Sequence, residues 1–536
     1  MDAVAYAALP RVVLDNGSGN LKFSLASSKK PPTVMPNCIG QPKRKFTSQS
    51  FSADTSHSSP SDPLSYAEHG ESIGDACYTL WEYFCLRPWA DGLLYEPNRQ
   101  RTIWNKIMGR PHIKINGVPA NMLAIAPANA ALCITEPNMA PGMCRQTLAE
   151  LIFEDLGFSL AAIMSSQAAS NWYYSVAKNP ASGAASDAKL TAYPSASAAP
   201  ASLPPDTACC LVVDCGFGSS HCVPFANGKP IQRAALRNGL AGSHLNAYLK
   251  NVSAIRTINL EFNELLVQHM KEEACYVSAD FNLEMRAARQ LRRIKGSSWL
   301  THDYVLPTYG GKSKSHLHRH FNNHSVSAPP LLTDERRPVV ERLARGATLT
   351  PEDLEAIVPQ QSADHANGDQ TAENNRADGQ TNGDMQNTLE AANIIAEETA
   401  KEDKKANNHV VGLFNERFAI PELLFSPQDL RLNECGIAEL ALRSIALAPT
   451  CLQRYLAENV LLTGGSTKFP GFTERFYSEL RAMLPADWNL QIYSAEDRAL
   501  TAFYGARLYA RDDTAFLETA VTRNFYLEHG GIYPHR

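Results

Sequence analysis

Two glycine turns carry the residues best suited to chemistry, Asp15-Asn16-Gly17-Ser18-Gly19 and Asp214-Cys215-Gly216-Phe217-Gly218, each directly after an apolar run. An aspartate can hold a hydrated divalent cation, and a glycine turn can present backbone N–H groups to phosphate oxygens. Two such turns facing each other across a cleft would wrap one polyphosphate from both sides. A third glycine pair, in Thr463-Gly464-Gly465-Ser466, follows another apolar run. A lone Asp-x-Gly-x-Gly is usually no more than a hairpin with left-handed glycines. The three together point to a two-lobed nucleotide clamp. Between the glycines of the second turn stands Phe217, whose ring can neither accept a proton nor order metal-bound water.

The elements that must position these turns follow from periodicity. Alternating burial predicts strands at 11–14 and 21–26, a hairpin whose turn lies at the phosphate level. The second turn is flanked in the same way by strands at 208–213 and 221–225, and the third follows a buried strand at 459–463. A further buried strand is expected at 131–135. Helical spacing appears at 76–84, 99–108, 143–156, 160–176, 242–251, 260–271 and 280–295. It returns at 434–447, with Asn433 as the expected cap, after Pro449, and at 471–484. The paired turns indicate two related halves.

With 536 residues, 44% of them hydrophobic and 20% charged, the chain can bury a large core and divide into domains. A net charge of -5 excludes a strongly basic nucleic-acid binder by total charge. The twelve cysteines include no C-x-x-C pair, which argues against zinc held by sequence-local pairs and for small buried hydrophobes in a reducing compartment. The first ten residues lack a basic and then apolar leader pattern, and no run of eighteen apolar residues follows, so neither secretion nor a membrane span is expected. Residues 47–71 and 177–207 read as loop insertions, Ser-rich and Ala/Ser/Pro-rich respectively. From about 310 to 408 apolar periodicity fades, and 352–405 carries 13 acidic against 4 basic side chains, so a largely disordered insertion is expected, with a short helix at 389–398. His316, His318, His320 and His324 beside Lys312, Lys314 and Arg319 read as a solvated loop in preference to a metal site, with a basic docking patch for DNA phosphates as the intermediate alternative, and Lys43-Arg44-Lys45 as a basic turn or a nuclear import signal.

The runs VVLDNGSGNLK, LVVDCGFGSSHCVP, LAGSHLNAYL, MKEEACYVSADF and VLLTGGSTKFPGF resemble, in order, the nucleotide-clamp segments of the actin family. The pieces MPNCIGQPKRK, CYVSADF, DYVLP, NERFAIPELLFSP and VTRNFYLEHG match a nuclear branch of that family better than conventional actin. The resemblance implies an α/β, two-lobed actin-like fold, shared with Hsp70 and sugar kinases, with the nucleotide cleft between the lobes. It divides the chain into a first lobe at 1–176, the insertion at 177–207, a second lobe at 208–495, and a segment at 496–536 that returns to the first lobe.

Carried over by position, the resemblance implies ATP or ADP with Mg2+ as ligand. Asp15 and Asp214 would hold the metal through water. Gly17, Ser18, Gly19, Gly216 and Gly218 would bind phosphates, with Lys22 as a cation. Lys271 and Glu272 would line the adenosine side, and Gly464, Gly465 and Ser466 the base and ribose. Actins hydrolyse ATP with a glutamine, a histidine and an aspartate in the second turn. Gln167 and His221 align with the first two, and Phe217 replaces the third. The family branch implies a nuclear, non-enzymatic scaffold, also found in the cytoplasm. It would belong to a SWR/SRCAP-type remodeller that exchanges a Z-type histone variant, and would pair with a Snf2-type ATPase and a zinc-finger HIT-domain subunit. Nucleosomal DNA or histones are further partners, and neither a membrane nor a homo-filament is expected. The alternatives are an ATP-hydrolysing enzyme of the same fold, such as a sugar or acetate kinase or a chaperone-type ATPase, and a cytoskeletal actin-like protein.

Overall fold

The computed structural model describes residues 6–42, 83–108, 125–178, 188–195, 209–256, 264–291, 302–305, 330–333, 335–347 and 410–531, with short pieces between 72 and 77 and between 114 and 123. Two sheets of the same plan form the core. In the first, β1 (Arg11–Asn16) is flanked on one side by β2 (Asn20–Leu25) and then β3 (Thr33–Pro36), and on the other by the parallel strands β4 (Ala131–Glu136) and β5 (Leu160–Ser165). A short antiparallel strand, Val521–Thr522, closes that edge. The second sheet runs β6 (Leu190–Tyr193), β10 (Ile492–Ala495), β9 (Val460–Thr463), β7 (Cys209–Cys215) and β8 (Ser220–Ala226), with Lys229–Pro230 and Leu236–Asn238 pairing beyond. β7 repeats β1: a hairpin partner on one side and two parallel strands on the other. The central strands are buried on both faces, as sheets covered by helices require.

Five sequence expectations need correction. Leu160–Ser165 is a strand, and the helix α1 (Ser166–Lys178) begins only after it. Its run Leu-Ala-Ala-Ile-Met lacks period-2 alternation because both faces are covered, and that makes it indistinguishable from helix by spacing. The expected helix at 76–84 overlaps Tyr83–Leu86, an antiparallel partner of Ile39–Pro42, where adjacent aromatics favour the strand. Within 177–207, residues 190–193 form the edge strand β6, paired with β10. Within 310–408, the helix α4 (Arg337–Ala344) packs Val339, Val340 and Leu343 against Leu283, Ala287 and Leu291 of α3 (Phe281–Leu291). Asn433 caps nothing; the helix α5 (Ile437–Leu447) starts from Gly436, which abuts the Phe425 carbonyl. The stretches 47–71, 312–324 and 389–398 and the Lys43-Arg44-Lys45 turn lie outside the described residues.

The C-terminal segment belongs with the first sheet. Helix α6 (Thr501–Arg511) lies on α1 and β1, and Gly505 lets it approach so closely that a Cβ there would stand 1.8 Å from the Ala169 carbonyl. Phe503, Ala506 and Ala510 join Val13, Ala131 and Cys133 in one apolar cluster. Each lobe thus holds one Asp-Gly loop at the end of a central strand, a position set by sheet packing rather than by the loop itself.

Candidate functional site

At the first loop, the end of β1 places Asp15 on the cleft floor, 3% exposed. Thr135 Oγ1 at the end of β4 donates to Asp15 Oδ1 at 2.7 Å, and Lys22 Nζ, its hairpin neighbour, donates to Oδ2 at 2.7 Å. The loop carbonyls are held from behind. Asn37 Nδ2 donates to the Gly17 carbonyl at 3.0 Å, Asn37 N to the Gly19 carbonyl at 2.9 Å, and Arg87 Nη1 to the Gly19 carbonyl at 2.6 Å. Carbonyls fixed on the far side leave the other face of the loop to the cleft.

The second loop repeats the arrangement. The Gly216 carbonyl accepts from Gly242 N at 3.2 Å and Ser466 Oγ at 3.1 Å, and the Phe217 carbonyl accepts from Ser243 N at 2.8 Å. Its aspartate is held by neutral donors, Gln167 and Ser166, where Asp15 is paired with a lysine. Thr463 stands in register with Asp214 but donates to the Arg498 carbonyl, and Gln167 Nε2 donates to Asp214 Oδ2 at 2.8 Å. Burial and the nearby Asp15 carboxylate push the Asp214 carboxyl up to about 6. His221, opposite Asp214 across the hairpin, is held neutral by burial and Arg237, with its pKa lowered to about 3, and its Nε2 lies 3.0 Å from Ser219 Oγ.

The two loops interlock through their glycines. A Cβ on Gly19 would meet the Phe217 side chain at 2.7 Å, and a Cβ on Gly218 would meet Ser18 Oγ at 2.7 Å. Each loop therefore rests its middle residue on the second glycine of the other. The third loop closes the side of the cleft: Gly464 has φ +94°, and a Cβ there would lie 2.3 Å from the Cys215 carbonyl, so only glycine fits without strain.

All thirteen residues expected to bind ligand line one cavity of about 520 Å³, together with Gln167, Phe217 and His221. Lys271 is not the exposed helix lysine its neighbourhood could have produced. It is 3% exposed, donates to the Gly242 carbonyl at 3.0 Å, and has its pKa lowered to about 8 by burial. Lys22 lies on the wall with its ammonium engaged by Asp15. The cavity fits a metal-bound polyphosphate: among the described residues Gln167 Oε1, His221 Nδ1 and both amide atoms of Asn16 are buried without a hydrogen-bond partner, and the Asp15 carboxylate raises the pKa of its neighbour Asp214. Among the described residues no group of three or more His, Cys, Asp or Glu is placed to hold a metal, so a cation here would take the remainder of its shell from water and phosphate. Thr135 and Arg87 are the site residues that sequence reading missed. Thr135 ends a strand that was legible, as Thr463 does; Arg87 has no motif around it.

Two α/β lobes of one plan, each giving an Asp-Gly loop to a shared cavity, define the two-lobed cleft architecture of the actin-like fold. The chain belongs to the actin family, whose model matches residues 7–263 and 259–536. It is similar to Actin-related protein 6 of Arabidopsis thaliana, 29% identical over 519 residues that cover 97% of each chain. It is likewise similar to Actin-like protein arp6 of Emericella nidulans, 26% identical over 98% of this chain and 94% of the relative, and to Actin-related protein 6 of Dictyostelium discoideum, 25% identical over 97% and 93%. No helix among the described residues is long and apolar enough to cross a membrane.

Proposed function

We propose that this chain is a nuclear scaffold subunit of a SWR/SRCAP-type chromatin remodeller that exchanges a Z-type histone variant, and that its cleft holds ATP or ADP with Mg2+ as a structural ligand. The names of its relatives support the actin-related class, and the cavity supports a nucleotide. The ligand would supply a polyanion and cation that join the lobes and stabilise the folded chain by mass action. Asp15 and Asp214 would face the hydrated cation, the glycine loops the phosphates, and Lys271, Glu272 and the 464–466 loop the nucleoside.

The observation that carries the non-hydrolysing reading is Phe217. Its ring packs on Gly19 and under the Arg87 guanidinium, where an aspartate would hold water. In the cell the ATPase would be a separate Snf2-type chain, with a zinc-finger HIT-domain subunit as neighbour. Gln167 and His221 favour a second reading, a slow ATPase, because both stand in the cavity and Gln167 touches Asp214. Radiolabelled ATP separates the two. The purified chain is expected to show no sustained turnover, and Phe217→Asp to raise turnover roughly tenfold or more over that background; sustained turnover by the natural sequence would establish the ATPase instead. Purification of the tagged protein from nuclei without a Snf2-type ATPase would overturn the remodeller assignment.

A further inference from the structure

Arg87 follows the strand Tyr83–Leu86, outside both main sheets, and its side chain is only 7% exposed. Its guanidinium touches both lobes at once. Nη1 donates to the Gly19 carbonyl of the first loop at 2.6 Å. Nε donates to Glu264 Oε1 at 2.7 Å and Nη2 to Gln268 Oε1 at 3.0 Å, both on the second-lobe helix α2 (Glu264–Ala274). The guanidinium carbon lies 4.3 Å from the centroid of the Phe217 ring in the second loop. Burial opposes a charge here, while the Glu264 carboxylate and the neighbouring Cys85 and Cys38 favour it, and the net direction is upward, so the group stays a cation. Beside it, the turn at Asp91 and Gly92 presses on the second loop: a Cβ on Gly92 would stand 2.3 Å from Ser219 Oγ, and Arg237 donates to the Asp91 carbonyl.

We propose that Arg87 and Phe217 form an inter-lobe clasp that keeps the two glycine loops apposed whether or not nucleotide is bound. A two-lobed clamp ordinarily closes because ligand groups bridge its halves. Here a guanidinium makes the bridge, with forked donors for the carbonyl, carboxylate and amide and a flat face for the ring. Phe217 is then more than a lost aspartate, because a carboxylate would offer no face for stacking. The clasp is made of protein groups alone, so it holds even if the nucleotide reading fails.

Hydrogen exchange on the full chain without nucleotide tests this. Amides at 17–19 and 216–219 should exchange roughly tenfold faster in Arg87→Ala than in the natural protein. The strand Val460–Thr463, buried in the second sheet, should keep its protection and so report an intact fold. Arg87→Lys keeps charge and loses the fork, and should fall between the two. Loops that exchange equally fast in the natural protein and Arg87→Ala would overturn the clasp. If Arg87→Ala loses protection at Val460–Thr463 as well, Arg87→Lys decides: natural loop rates in that variant would equally overturn it.

Discussion

The two glycine loops share a backbone plan and differ in what their aspartates rest against. Asp15 accepts from both Thr135 and Lys22, so each carboxylate oxygen has a donor. Asp214 accepts from the neutral side chains of Gln167 and Ser166, the threonine in register with it turns to the Arg498 carbonyl, and its hairpin neighbour is His221 where Asp15 has Lys22. Backbone is enough to make two matching loops that line the cleft. Side chains then divide the roles, with one aspartate paired to a lysine and the other held by neutral donors.

The sharpest way to break this contrast is to remove each aspartate. Asp15→Ala leaves the Lys22 ammonium, with only 15% of its side chain exposed, without its partner, and should cost about 3–5 kcal/mol in urea unfolding. Asp214→Asn removes a charge that the fold holds at a disadvantage, and at pH 7 should cost less than about 1 kcal/mol or stabilise the chain. Equal losses at the two positions would show that the loops are not divided in this way.

A smaller effect follows from acidity. The Asp214 carboxyl titrates near 6 in the fold against the ordinary 3.8. The folded state therefore binds more protons than the unfolded state between these values, and the contribution of this group to stability falls as pH rises from about 4 to 6. Asp214 keeps some exposure to the cleft, which screens its charge, so the fall should be on the order of 1–2 kcal/mol. The difference in unfolding free energy between the natural protein and Asp214→Asn, measured at pH 4, 5, 6 and 7, should track that slope and level off above about pH 6. A flat difference would mean that Asp214 is as well supported as Asp15.

The contrast also marks where sequence was informative. The loops and their hairpins were legible because glycine spacing and strand alternation are local signals, and so were the cavity residues tied to them. β5 was not, since a strand covered on both faces loses alternation. β6 and α4 were hidden in polar surroundings, because only a few apolar residues dock each on a distant element. Arg87 was hidden for a different reason: its partners Gly19, Phe217, Glu264 and Gln268 are distant in sequence, and nothing local sets a clasping arginine apart from a solvated one.

The finest comparison sets the equivalent glycines Gly17 and Gly216 side by side. Each is followed three residues later by a carbonyl that a Cβ would meet, that of Asn20 at 2.6 Å and that of Ser219 at 3.1 Å. The first distance is shorter than real Cβ contacts allow, and the carbonyl belongs to the start of β2, so it can yield only by disturbing the hairpin. The second needs a shift of a few tenths of an ångström by a turn whose own hydrogen bond, Gly216 N to Ser219 O, is already 3.2 Å long. Gly17→Ala should therefore destabilise by about 1–3 kcal/mol and Gly216→Ala by less than about 1 kcal/mol. Paired thermal unfolding of the two variants measures the difference. The reverse order would mean that the second loop is the more rigid, and that Phe217 stiffens its backbone as well as engaging Arg87.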